Sequence, residues 1–270
     1  MMQYFLRPLS RIVKPAALLA ALCMIAMPLV SPAQVVVGIN IGTPPPPMPY
    51  YAQPTLVTPG EIWEPGYWAW GPAGYYWVPG TWVMPPSVGM YWTPGYWGNS
   101  NGGYGWNNGY WGPSVGYYGG INYGYGYNGL GYVGGMWNRG AFTYNTAVTN
   151  VDATVVRNTY IDRRVVVTRT ISRASYNGPG GVTVRATAAE LAAAGDRRIA
   201  PTPVQVQHAK VAAQDRNMYS TVNRNRPETT AVARPIDDAR TLPHYQPVTQ
   251  ADRDRAVPVQ SGDGQKRPPY

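Results

Sequence analysis

The sequence predicts an all-β fold, a small antiparallel meander of four to five hairpins, followed by a largely disordered basic tail with one or two short helices. Three observations predict it. A six-residue phrase, Trp-x-x-Gly-x-Trp, occurs four times, as WEPGYW (63–68), WVPGTW (77–82), WTPGYW (92–97) and WNNGYW (106–111), with starts 14, 15 and 14 residues apart. Each copy centres on a turn-forming pair, Pro-Gly three times and Asn108-Gly109 once. Finally, charge is absent from most of this region and crowded into the last part of the chain.

The turn pairs carry the first expectation. Pro-Gly suits a type II turn, because proline fixes φ at the first central position and glycine accepts positive φ at the second. Asn-Gly is the strongest short hairpin signal. Two-residue turns inside each copy would set Trp77 opposite Trp82 and Trp106 opposite Trp111, although type II turns match strand twist less well than the primed types. Alternation then places Trp63, Trp68, Trp77, Trp82, Trp92, Trp97, Trp106 and Trp111 on one face. Glu64, Thr81, Thr93, Asn107 and several tyrosines fall on a wettable opposite face. Eight tryptophans in water would make a patch larger than soluble monomers tolerate. The sheet curling on itself, the next segment, a second molecule or a ligand must cover them.

Taken in order, residues 1–33 read as an export signal. Arg7, Arg11 and Lys14 precede the apolar run Ala16 to Val30, and Ser31-Pro32-Ala33 offers small residues for cleavage. The run is short and broken by Pro28, so a membrane span is not expected in the mature chain. Cys23, the only cysteine, lies inside the apolar run behind a bulky Leu22, which is not a lipidation pattern. After cleavage no cysteine remains, which excludes disulfides, thiolate catalysis and Cys-ligated metals from the mature chain.

Residues 34–60 are expected to hold a short strand (Val35 to Ile41) and a stiff proline-rich spacer. The repeat domain covers 61–148. Within it, Tyr123, Tyr125 and Tyr127 alternate with small residues and could cover the tryptophans from one strand face, against a competing reading as low-complexity coil. Trp137-Asn-Arg-Gly140-Ala-Phe142 looks like a decayed fifth copy. Residues 149–185, rich in Val, Thr and Asn, suit an edge strand or an extended linker. In the tail, 186–270, Thr187-Ala-Ala-Glu190 is a capping box that predicts a short helix, and a second helix is expected from about Pro203 to Val222. Beyond Arg226, prolines and scattered charges predict disorder.

The copies, together with WGPSVGYYGGINYGYGY (111–127) and GGMWNRGAFTYNTAV (134–148), resemble the WXXGXW or YXWGXW repeat-containing proteins of proteobacteria. The resemblance spans roughly residues 44–150, and the stretch from Thr202 to Pro227 is similar to tails in that family. It implies export and supplies no site residues to carry over. The fourth copy departs from it by using Asn-Gly.

Function is narrowed mainly by exclusion. Acid–base catalysis needs a histidine or a perturbed carboxylate in a pocket. His208 and His244 fall in the tail, and Glu61 and Glu64, the only acids between 34 and 150, sit on a hairpin arm where exposure is expected. There is no nucleophile motif, phosphate loop or metal-ligand cluster, so no catalytic residue, metal or cofactor is assigned. The expectation is an exported non-enzymatic structural or interaction protein of the cell envelope, in the periplasm or on the outer surface. The alternative is a carbohydrate-binding module for peptidoglycan or surface polysaccharide, stacking sugars on the eight motif tryptophans, with Trp82, Trp92 and Trp97 foremost. Self-association or a protein partner would also use Trp and Tyr. From 151 onward, 18 Lys and Arg stand against 11 Asp and Glu. An anionic envelope surface suits such a tail better than nucleic acid, because acids alternate with the arginines.

Overall fold

Copies pair with one another rather than fold back on themselves. In the computed structural model, which describes residues 40–100, 102–165 and 172–256, the first two copies form one long hairpin and the next two form another. Its outer ladder joins β1 (Ile62–Glu64) to β4 (Thr81–Val83), and its inner ladder joins β2 (Tyr67–Gly71) to β3 (Gly74–Val78). The second repeats this with β5 (Tyr91–Thr93) on β8 (Tyr110–Gly112) and β6 (Tyr96–Ser100) on β7 (Gly103–Asn107). All four ladders are antiparallel, so the all-β hairpin class holds.

The expected local turns do not form in these four copies. The chain reverses at Pro72-Ala73, between Gly71 and Gly74, and again between Ser100 and Gly103, where Gly102 has φ 79°. Pro65-Gly66 instead lies opposite Pro79-Gly80, in the gap between the two ladders. Proline has no N–H to give a ladder, so a proline on each strand, Pro65 across from Gly80 and Pro79 across from Gly66, interrupts it. Trp63 therefore faces Trp82, and Trp68 faces Trp77. In the second hairpin Trp92 faces Trp111 and Trp97 faces Trp106. Ring centroids in these pairs are 5.1, 5.3, 5.3 and 5.4 Å apart in edge-on or tilted contact, an arrangement worth about 0.5–1.5 kcal/mol per pair beyond buried area.

Glycine decides this pairing. A Cβ on Gly66 would sit 2.3 Å from Cζ2 of Trp77, and one on Gly80 would sit 2.5 Å from Cζ2 of Trp63. The second hairpin repeats the exchange: Gly95 meets Trp106 at 2.4 Å and Gly109 meets Trp92 at 2.5 Å. The first tryptophan of each copy thus lies on the glycine of its partner copy. The decayed fifth copy does turn on itself: β11 (Gly135–Asn138) and β12 (Ala141–Asn145) close through Arg139 (φ 47°) and Gly140 (φ 84°), with Trp137 opposite Phe142. Positive φ at both central residues is the type I′ geometry that suits strand twist.

The chain itself covers the tryptophans. Tyr123 in β9 (Asn122–Gly124) and Tyr127 in β10 (Tyr127–Asn128) are buried, and their hydroxyls donate to Gly95 O at 2.6 Å and Trp92 O at 2.9 Å. The proline-rich stretch is a strap rather than a spacer. Trp68 Nε1 donates to Pro47 O, Trp82 Nε1 to Pro54 O, and the Tyr75 hydroxyl to Thr43 O. Most of the expected strand from Val35 to Ile41 lies outside the described residues; Ile41 bridges to Tyr104. Further on, β13 (Thr159–Tyr160) extends β12 in parallel and β14 (Tyr176–Asn177) extends β6, also in parallel. Val166 and Val167, from the centre of the Val-rich segment, lie outside the described residues.

The tail is more ordered than its composition predicts. The capping box delivers α1 (Ala188–Ala193). The second expected helix ends early, as α2 (Pro203–Ala212), because Asp215 starts a new turn as the N-cap of a 3-10 segment, before α3 (Ser220–Asn223). Val211, Met218, Tyr219, Ile236 and Leu242 form a second core with Tyr76 and Val78 of β3. The wettable outer face of the first hairpin is thereby buried. At α4 (Gln250–Asp254), Asp252 closes a capping box with Thr249 and takes Arg216 in a two-point ion pair at 2.9 and 3.1 Å, which holds its carboxyl below the usual range.

Gly66→Ala is expected to destabilise the mature chain by about 1–3 kcal/mol, since the added methyl collides with a buried indole. Gly105→Ala is the control, because a Cβ there meets nothing within 4 Å, and its effect should stay within about 0.5 kcal/mol. Urea unfolding measures both.

Candidate functional site

The eight motif tryptophans divide seven to one. Trp63, Trp68, Trp77, Trp82, Trp92, Trp97 and Trp111 are each 3% exposed or less, while Trp106 is half-buried and stacked on Tyr67 at 5.1 Å. The fold brings them together as a core and leaves those seven no ring face for a ligand. Trp82, Trp92 and Trp97, the foremost stacking candidates, are among them. Trp97 Nε1 donates to Trp68 O at 2.7 Å, which ties one hairpin to the other.

A polar cluster lies beneath this core, at residues expected to face solvent. Glu64, Thr81 and Thr93 are buried, the first two where the tail packs on the first hairpin and Thr93 where its Oγ1 accepts from Gly116 N at 2.9 Å. From α2, Gln205 Oε1 accepts from Trp111 Nε1 at 2.7 Å and from Thr202 N at 2.9 Å, so one side chain caps the helix and docks it on the fourth copy. Glu64 Oε2, Thr81 Oγ1 and Gln205 Nε2 are buried without a hydrogen-bond partner among the described residues. Burial pushes the Glu64 carboxyl up to about 7, moderated by the neighbouring Gln205 amide.

His208, one turn further along α2, pins the same helix to the second copy. Its Nε2 lies 2.8 Å from Pro79 O, and its Nδ1 accepts from Ile236 N at 2.8 Å. This assigns the proton to Nε2. Burial lowers its pKa to about 4, so the imidazole is neutral near pH 7. His244 is exposed, 3.6 Å from Glu228. The docking roles of Gln205 and His208 went unread in the sequence, though Thr202-Pro-Val-Gln205 is a capping-box pattern that marks where α2 begins.

Among the described residues, two clefts open on the surface. One, of about 440 Å³, is lined by Tyr91, Tyr132, Met136, Tyr160 and Asp162, and Asp162 is already paired with Arg164 at 2.8 Å. The other, of about 200 Å³, is lined by Met48 to Tyr51, Asn122 to Tyr125, Ser172 and Arg173. Neither is lined by Glu61 or Glu64. No group of three or more His, Cys, Asp and Glu among the described residues is placed to hold a metal, and no described helix is long and apolar enough to cross a membrane.

The paired-copy geometry coincides with the one family match. A family model described as the WXXGXW repeat matches residues 62–83 in two copies, the span of the first hairpin. The chain carries the WXXGXW repeat. No curated protein and no solved structure matches it. The two-copy match agrees with the structural unit, since one WXXGXW copy lacks the partner glycine its first tryptophan needs.

The buried carboxyl gives the WXXGXW chain a pH dependence with a definite sign. Glu64 holds its proton more tightly folded than unfolded, so its contribution is complete at acid pH and is lost as pH rises from its unfolded value to about 7. His208 acts oppositely, favouring the folded chain as pH rises from about 4 toward its unfolded value. Glu64→Gln should therefore gain stability relative to the wild type between pH 5 and pH 8, by on the order of 3 kcal/mol. Denaturant unfolding at the two pH values measures the difference, and a constant difference would contradict the assignment.

Proposed function

We propose that this chain is an exported, non-enzymatic structural or interaction protein of the cell envelope, in the periplasm or on the outer surface. The observation that carries the reading is the burial of seven of eight motif tryptophans by the chain's own strap, tyrosines and tail. Side chains that would otherwise offer a large stacking surface are committed to holding two hairpins together. The signal-like residues 1–33 support export, and a chain with no cysteine after them needs packing of this kind to be stable outside the cell. Such a protein acts through what it displays. Exposed Arg163, Arg164, Arg197 and Arg198 suit an anionic envelope surface, although Arg164 is paired with Asp162 and Arg198 lies over the Tyr110 ring at 4.8 Å.

Glycan recognition through the motif tryptophans is the weaker reading, because it needs rings that the fold encloses. Tryptophan fluorescence of the mature chain with acrylamide quenching separates the two. The expected result is blue-shifted emission, poorly quenched and unchanged by peptidoglycan or surface polysaccharide. Red-shifted, quenchable emission that moves to the blue on adding glycan would overturn it. Export is tested separately by fractionating cells that express the full chain with a C-terminal tag: a processed product in the envelope fraction supports it, and an unprocessed cytoplasmic one overturns it.

A further inference from the structure

The smaller cleft brings one cation, Arg173, into a lining rich in tyrosine. Tyr50, Tyr51, Tyr123 and Tyr125 line it with Met48, and Arg173 is the only charged residue among its lining. Two tyrosine walls brace each other. The Tyr51 hydroxyl donates to Tyr123 O at 2.6 Å, the Tyr125 hydroxyl donates to Tyr51 O at 2.8 Å, and the Tyr51 and Tyr125 rings lie 5.4 Å apart. Both hydroxyls are thus spent on the wall, and with Tyr123 buried behind it the rings of Tyr50, Tyr51 and Tyr125 are left as the recognition surface.

Arg173 is held in place from both ends. Its carbonyl accepts from Met48 N at 2.8 Å, and its Nε donates to Met48 O at 2.7 Å. The guanidinium carbon stands 4.5 Å over the Tyr50 ring, a ring that is itself 75% exposed. No carboxylate among the described residues forms an ion pair with Arg173, and its two Nη groups have no described acceptor. Those Nη groups form a planar donor pair, the geometry that matches a carboxylate. The cleft's volume of about 200 Å³ has room for one ring-sized group.

We propose that this cleft binds a carboxylate-bearing sugar ring, a hexuronic acid unit of an acidic polysaccharide, with its carboxylate on the Arg173 Nη groups and its C–H face against the tyrosines. Charge complementarity selects an anion, and the excess of 18 Lys and Arg over 11 Asp and Glu from residue 151 onward favours its approach. The flat aromatic walls and single-ring volume select a sugar over an extended acidic peptide. This site is separate from the motif tryptophans, and binding by the purified chain tests it whichever compartment holds the protein.

Isothermal titration of the mature chain with an oligomer of glucuronic acid at low salt tests the proposal, with a glucose oligomer of equal length and a glutamate peptide as comparisons. The uronate oligomer is expected to bind saturably, and both comparison ligands far more weakly. Arg173→Gln and Tyr50→Ala should each weaken uronate binding about tenfold or more, with Arg173→Lys falling between. Because Tyr50 is largely exposed, Tyr50→Ala should keep the wild-type melting temperature, so its loss of binding cannot be ascribed to unfolding. Absence of uronate binding, equal binding of the glucose oligomer, tighter binding of the glutamate peptide, or full binding by a folded Tyr50→Ala chain would each overturn it.

Discussion

The structure depends on one contact, an indole lying on a glycine of the neighbouring copy. Any side chain at Gly66, Gly80, Gly95 or Gly109 would occupy the place of a tryptophan ring. Each copy supplies one ring and one glycine, and it receives the complement from its partner. The exchange is reciprocal, so the copies work in twos. It also moves the turn out of the motif and into the residues between copies, where Gly71 pairs with Gly74 and Ser100 with Gly103.

The Pro-Gly and Asn-Gly steps, displaced from the turn, interrupt the ladders and leave backbone groups for later segments. Pro79 O meets His208, while Gly80 N donates to Thr230 O and Gly80 O accepts from Val232 N. In the second hairpin Gly95 O accepts from the Tyr123 hydroxyl, and beside the gap, on the free edge of β8, Trp111 exchanges two backbone hydrogen bonds with Ile199. A buried backbone group without a partner is costly, so each gap serves as a docking point. The strap obeys the same accounting from the other side. Proline carbonyls accept, indole nitrogens donate, and neither has the opposite role to offer.

Much of this was legible in the residues. The four copies, the decayed fifth, the hairpin class and the Thr187 capping box follow from local chemistry. Pairing between copies did not, because Pro-Gly encodes a turn and a ladder break equally well, and only the ring-on-glycine contact decides between them. The packing of the tail was hidden for a different reason. Val211, Met218, Tyr219, Ile236 and Leu242 follow no single helical or strand period, and they become a core only against Tyr76 and Val78. The burial of Glu64 and Thr81 follows from that docking, which nothing local to β1 or β4 encodes. Arg173 carried no local signal either, since its cleft joins three distant stretches of chain.

The most direct measurement is the backbone cross-strand NOE pattern of the isotope-labelled mature chain. NOEs joining Trp63 to Trp82 and Trp68 to Trp77, with Trp92 to Trp111 and Trp97 to Trp106 in the second hairpin, are the result the paired-copy account predicts. NOEs joining Trp77 to Trp82 and Trp106 to Trp111 would mean that each copy closes on itself, and would contradict it.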